Sequence, residues 1–335
     1  MKKYLVALLS GLLLATGSNF AHANNLERKI CVFDIAGNMG PMMQAMRDWR
    51  AAALEWDLSV ELIPFTNEGI AAEELRAGRC DMALMTGIRA RNFNQFTGTL
   101  DSIGGIPDNE HLRMVLQVLA HPSSAENLTQ GSYSIMGVAP AGAAYVFVND
   151  KEINTLAKAA GKRVAVLEYD PTQAEMVSQI GATPVASDLT NFSNRFNNGV
   201  VDVIAAPLAA YGALELYRGL SPDGGIVDYP LAQITLQLVS RSDHIPEEIA
   251  AQSRQYFYDN FDEILDALNR EAQQVDQKWF ITIPDEDKRE YEVMMQEARI
   301  QLRNDGHYHP EMLTLQRRVR CRFDNSRSEC SNPVE

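Results

Sequence analysis

The chain has 335 residues, 46% of them apolar, and carries 44 acidic against 30 basic side chains, a formal charge of −14. That length and apolar share allow two full hydrophobic cores and so two lobes. The acidic excess argues against nucleic acid or an anionic membrane surface as a partner.

Lys2 and Lys3 precede an apolar run from Tyr4 to Leu14 and a small-residue cleavage pattern at Ala21-His22-Ala23. Residues 1–23 are therefore expected to be a signal peptide, with the mature chain starting near Asn24. The run is too short to span a bilayer, and no cysteine stands beside the cleavage point to take a lipid. A soluble periplasmic protein is expected. Cys31, Cys80, Cys321 and Cys330, an even set in an oxidising compartment, suggest two disulfides in one of three pairings. With His307 and His309 they match no standard zinc spacing, so neither metal nor cofactor is expected.

In chain order, Ile30 to Asp34 reads as a short buried strand and Met39 to Trp56 as a helix opened by Gly37, Asn38 and Pro41. Leu58 to Pro64 alternates as a strand, a short helix capped near Thr66 runs through Leu75, and Asp81 to Met85 forms a third strand. The order returns after Gly161: strand 163–167, helix 171–180, strand 183–185, helix 188–197, strand 201–205. Gly78 and Asp81 recur as Gly199 and Asp202, each pair displaced by the same interval. Both glycines read as helix stops before a buried strand. The first and third strands of such a half are neighbours, and Cys31 and Cys80 lie near their amino ends. That level match favours Cys31 with Cys80 and leaves Cys321 with Cys330 as a local clip on a polar tail.

Leu112 to Ala120 is apolar enough to cross from one lobe to the other, and Gln233 to Ser240 alternates as the return crossing. One long helix after Pro246 carries Ile249, Phe257, Phe261, Ile264, Leu265, Leu268, Ala272 and Val275 on one face, and is expected to brace the lobes rather than touch ligand. A last helix, Asp285 to Arg303, buries Tyr291, Met294, Met295, Ala298 and Leu302, with the methionines as core. The expected division is 24–120 for the first lobe, 121–234 for the second, and 235–335 for the return strand, bracing helices and tail.

The run Tyr145 to Val148, the stretch Ile153 to Val166, Ile180 to Val185 and Phe196 to Asp202 together resemble extracytoplasmic solute-binding proteins of TRAP-type transporters. They are also similar to a subgroup of solute-binding proteins linked in part to efflux and aminoglycoside resistance. The resemblance implies an α/β, two-lobed periplasmic-binding-protein (Venus-flytrap) fold, each lobe a mainly parallel sheet with flanking helices, closed by long C-terminal bracing helices. It also implies capture of a small polar ligand and delivery by a monomer to the membrane subunits of a TRAP-type transporter. One position departs from that family. The strand arginine that clamps a substrate carboxylate there is Ala165 here, and Arg163 lies two residues too early.

Ligands of parallel βαβ units sit at the carboxyl ends of the strands. That rule nominates Asp34, Asn38, Thr66, Asn67, Glu68, Thr86, Arg89 and Arg91 in the first half. In the second it nominates Glu168, Tyr169, Asp170, Gln173 and Tyr211. Arg89 or Arg91 is the candidate replacement for the missing clamp. Asp170 before Pro171 also reads as a helix cap, and Phe93 and Phe96 read as core. The chain lacks the Gly-x-Ser-x-Gly, His-Glu-x-x-His and Gly-x-Gly-x-x-Gly signatures, which disfavours a periplasmic hydrolase. It also lacks a long heptad hairpin, which disfavours an efflux adaptor.

Overall fold

In a computed structural model, which describes residues 26–335, eleven strands form one sheet. They are β1 Leu26–Phe33, β2 Leu58–Phe65, β3 Met82–Thr86, β4 Thr129–Gln130, β5 Tyr133–Val148, β6 Arg163–Leu167, β7 Thr183–Ser187, β8 Val203–Pro207, β9 Gly225–Val227, β10 Ala232–Arg241 and β11 Phe280–Ile281. The expected signal peptide, residues 1–23, lies outside the described residues.

The main path runs β2-β1-β3-β10-β5-β8-β6-β7. β1 is parallel to β2 and β3, and β6 is parallel to β7 and β8, so each half has a parallel triplet. The long strands β10 and β5 pair antiparallel to each other and join the triplets, with register shifts at Ile234/Thr235 and Leu238/Val239. Two crossings are therefore present, but the first is β5. Leu112 to Ala120, expected as that crossing, instead lies in the helix Asn109–Ala120. Its buried Leu112, Val115, Leu116 and Leu119 repeat at helical spacing, and the Asp108 side chain caps it by accepting from the His111 N–H.

The duplicated plan is visible in atomic detail. Gly78 and Gly199 both take positive φ, 70° and 68°, just after the helices Glu68–Arg76 and Phe192–Asn197. Asp81 then accepts the backbone N–H of Lys29 at 2.8 Å, and Asp202 accepts that of Arg163 at 2.9 Å. Each aspartate thus ties the start of one parallel strand to its neighbour.

Successive side chains of the first-half strands enter opposite cores. Cys31, Ala83, Ile135 and Val239 face one cluster, and Ile30, Met82, Met136 and Leu238 face another. Strands buried on both faces read as continuous apolar runs, as these do. The second half is lopsided. Phe147, Ile204 and Ala206 meet Phe192 and Phe196 on one face, whereas the other holds only a small cluster around Val148, Ile153 and Val203.

Two C-terminal expectations need correction. The single long helix is two, Glu247–Asp259 and Phe261–Ala272, broken at Asn260, whose side-chain amide donates to the Tyr256 carbonyl. The tail beyond Asp285–Asn304 is not a polar appendage but a further helix, Pro310–Phe323, folded into the protein. Arg320 binds Glu329 and Glu335 there, and Glu335 also binds Arg299, all four side chains nearly inaccessible to solvent. These charged side chains of the tail are buried because each finds an opposite charge. The disulfides pair Cys31 with Cys80 and Cys321 with Cys330. Among the described residues no helix is long and apolar enough to cross a membrane.

Candidate functional site

A cavity of about 960 Å³ opens between the halves, at the carboxyl ends of β1, β3, β6 and β8. Asp34, Thr86 and Arg91 reach it from the first half, and Asp170 and Gln173 from the second. Asp34 is nonetheless committed. Its carboxylate accepts the N–H groups of Ala36, Met42 and Met43 at 2.8 to 3.0 Å, which fixes the first turn of the helix Pro41–Ala53. Gln173 accepts the Leu167 N–H at 2.9 Å through its side-chain oxygen.

Contacts from Glu68, Arg89 and Arg91 to Tyr169 and Asp170 span the gap. Asn67 caps the helix Glu68–Arg76, which places Glu68 where its buried carboxylate accepts from the Thr86 N–H at 2.6 Å and from Arg89 Nε at 2.8 Å. The Tyr169 hydroxyl donates to the same carboxylate at 3.0 Å, and the Arg89 guanidinium lies 3.5 Å from the centre of the Tyr169 ring. Burial and the Glu68 charge push the Tyr169 phenol well above its ordinary range, so it remains a donor.

Beside this bridge, Arg91 Nη1 donates to Asp170 Oδ1 at 3.1 Å, and its Nε donates to the Gly98 carbonyl at 3.2 Å. Asp170 also accepts from the Thr172 hydroxyl and N–H at the start of the helix Pro171–Gln179. Among the described residues Arg91 Nη2 has no hydrogen-bond acceptor, and the residue faces the cavity.

Arg89 and Arg91 are thus paired rather than free. Arg89 pairs with Glu68 and not with Asp101. Asp101, on the cavity wall, instead accepts from the Thr235 hydroxyl and N–H, and burial pushes its carboxyl up to about 7. Asn38 and Glu168 are exposed, with Asn38 accepting from Arg47, and Asn67 is spent as a cap. Tyr211 sits in the second-half core and accepts from Trp279 Nε1 at 3.0 Å, so it does not line the cavity. Arg163 is held at the amino end of β6 by Asp202 and the Gly199 carbonyl, which leaves Ala165 with no arginine in its place.

Several wall residues were not anticipated. Ile264, Ala267 and Leu268 of the helix Phe261–Ala272 line the cavity, as do Tyr291, Met294 and Met295 of the helix Asp285–Asn304. Helical spacing of apolar residues marks a face that is covered, but not whether protein or ligand covers it. Thr172 and Tyr308 also border the cavity, and the Arg91 guanidinium lies 5.0 Å from the Tyr308 ring centre.

Solved structures of the same shape include a TRAP periplasmic solute-binding protein from Desulfovibrio salexigens with bound orotic acid. It matches with a TM-score of 0.73 and 16% identity, over 89% of this chain and 99% of the other. A second, from Bradyrhizobium with galacturonate, matches with a TM-score of 0.68 and 18% identity, over 88% of this chain and 99% of the other. These similarities establish the two-lobed periplasmic-binding-protein fold. By sequence, the chain is 36% identical over 300 residues to the probable solute-binding protein AdeT1 of Acinetobacter baumannii, covering 90% of this chain and 99% of the relative. The relatives are solute-binding proteins and not enzymes. A family model described as solute-binding protein AdeT 1/2 matches residues 8–335, and with that span matched the chain belongs to this solute-binding family.

Proposed function

We propose that this protein captures a small ligand in the cavity between its halves and carries it through the periplasm to the membrane subunits of a TRAP-type transporter. The observation that carries the proposal is the meeting of Arg91 with Asp170 and Thr172 at the carboxyl ends of the strands, where a ligand polar group reaches both halves. On this reading the parallel triplets act as lobes, and β5 and β10 as the hinge between them. The division at 24–120, 121–234 and 235–335 then shifts, with both crossings placed in those two strands. Arg91, Asp170, Thr172 and Gln173 are the ligand-facing polar groups, and Glu68, Arg89 and Tyr169 hold the lobes together beside them.

A bound ligand stabilises the closed form in proportion to the logarithm of its concentration above Kd. The test screens organic acids, amino acids, sugars, amines and apolar compounds by thermal shift, then follows hits by small-angle scattering. The expected outcome is a higher Tm together with a smaller radius of gyration. Lack of both effects across every class counts against solute capture. Fractionation of cells that express the full chain tests the periplasmic location.

A further inference from the structure

The second half of the sheet is not filled by its own side chains. Its face carrying Val146, Val164, Val203 and Ala205 has only a small cluster on it, and Ala205 is exposed although it lies mid-strand in β8. Opposite it, the helix Pro171–Gln179 buries just one residue, Thr172, and leaves Met176 and Val177 on the cavity wall. Leu268 and Met294 close the space from two further helices. In the first half, by contrast, both faces of the sheet are packed.

Protein interiors are normally close-packed, with few voids larger than a water molecule. A water occupies about 30 Å³ of liquid, so water alone in a 960 Å³ cavity amounts to roughly thirty molecules, most of them against apolar walls. Apolar surface left against water costs roughly 25 cal/mol per Å². The methyl group of Ala165 stands where an arginine clamp is expected, and Arg91 shares its charge with Asp170 and has only Nη2 left for a ligand, so the two-pronged grip on a carboxylate is absent and a single polar group is what the site can hold. The volume lies at the upper end of the usual range for pockets that enclose a drug-sized molecule, roughly 300 to 1,000 Å³.

We infer that the ligand is amphipathic, with a polar end at Arg91, Asp170 and Thr172 and an apolar body, larger than succinate or a hexuronate, seated between β8 and the helix Pro171–Gln179. This rests on the solute-capture reading above and specifies its substrate class.

The test uses N-phenyl-1-naphthylamine, a neutral aryl amine whose fluorescence rises in apolar surroundings, with the mature protein. Saturable one-to-one binding is expected, unaffected by excess succinate or galacturonate. Ala205→Trp, which fills the space, should weaken it by about tenfold or more. Leu268→Asn, a polar change on a half-buried helix face, should weaken it severalfold, and decides the matter if the tryptophan variant does not fold. Equal binding by wild type and both variants places the probe on the surface and overturns the inference. A Tm rise with succinate or galacturonate, with no probe binding, overturns it while solute capture stands. If neither probe nor acids bind, both readings fall.

Discussion

Arg91 and Asp170 meet at 3.1 Å, although 79 residues separate them and they belong to opposite halves of the sheet. Their side chains are 11% and 5% exposed, so the pair is largely shielded from water. Removing one member of such a pair typically costs about 3 to 5 kcal/mol, because the other charge stays buried alone. Arg91→Met should lower the urea midpoint accordingly. Asp170→Asn should cost a similar amount, and the double variant clearly less than the sum. Strict additivity in that cycle would show that the two groups do not interact.

Asp101 predicts a pH dependence. Burial pushes its carboxyl up to about 7 from an ordinary 3.8, the Thr235 hydrogen bonds and the Arg91 charge pulling back and the Asp170 charge adding to the rise. Between those values the folded protein holds a proton that the unfolded chain has released. This contribution to stability is therefore full at acid pH and is lost as pH rises through about 7. Asp202 has the opposite sign, held at about 2 by its Arg163 hydrogen bonds. So does Glu329, which burial raises but Arg320 and Arg327 bring down to about 2. Their contributions disappear only toward pH 2, outside the Asp101 window. Urea midpoints measured from about pH 5 to about pH 7.5 should fall in wild type and flatten in Asp101→Asn. Identical slopes would remove Asp101 as the cause.

Glu335 is fully buried between Arg299 and Arg320, whose side chains are 3% and 1% exposed. Glu335→Gln should cost about 3 to 5 kcal/mol, since the buried Arg299 guanidinium loses its carboxylate partner while Arg320 keeps only Glu329. Lys278→Gln, at an exposed ion pair with Asp276, should cost no more than about 1 kcal/mol. Chemical denaturation of the two variants side by side gives the comparison. A Glu335 variant as stable as wild type would show that the C-terminal network adds nothing.

The disulfides should differ in weight. Cys31–Cys80 closes a separation of 49 residues and Cys321–Cys330 one of 9. Loop-closure entropy assigns them about 4 and about 3 kcal/mol, so Cys31→Ala/Cys80→Ala should lower Tm more than Cys321→Ala/Cys330→Ala. The reverse order would point to native-state packing, not chain entropy, as the source of stabilisation.

Much of the architecture is written locally. Strand periodicity, the caps at Asn67, Asp108 and Asp170, and the Gly78/Asp81 and Gly199/Asp202 repeat each depend on residues a few positions apart, so the duplicated halves and both disulfide pairings are legible from the chain. Leu112 to Ala120 is not legible in this way, because a strongly apolar run suits a buried strand or a helix alike until its flanking cap at Asp108 is weighed.

What the sequence by itself determined is therefore the repeated βαβαβ plan and the nomination of strand ends as the site, while the absence of a clamp arginine at Ala165 came from the resemblance to TRAP-type solute-binding proteins. Only the tertiary structure decided that Arg89 takes Glu68 and Arg91 takes Asp170, that Tyr211 is core, and that Ile264 and Leu268 face open space. The physical reason is range. Caps and periodicity act within one or two turns of chain, whereas the choice among competing charges, and whether an apolar face meets protein or a cavity, depends on elements brought together from distant parts of the sequence.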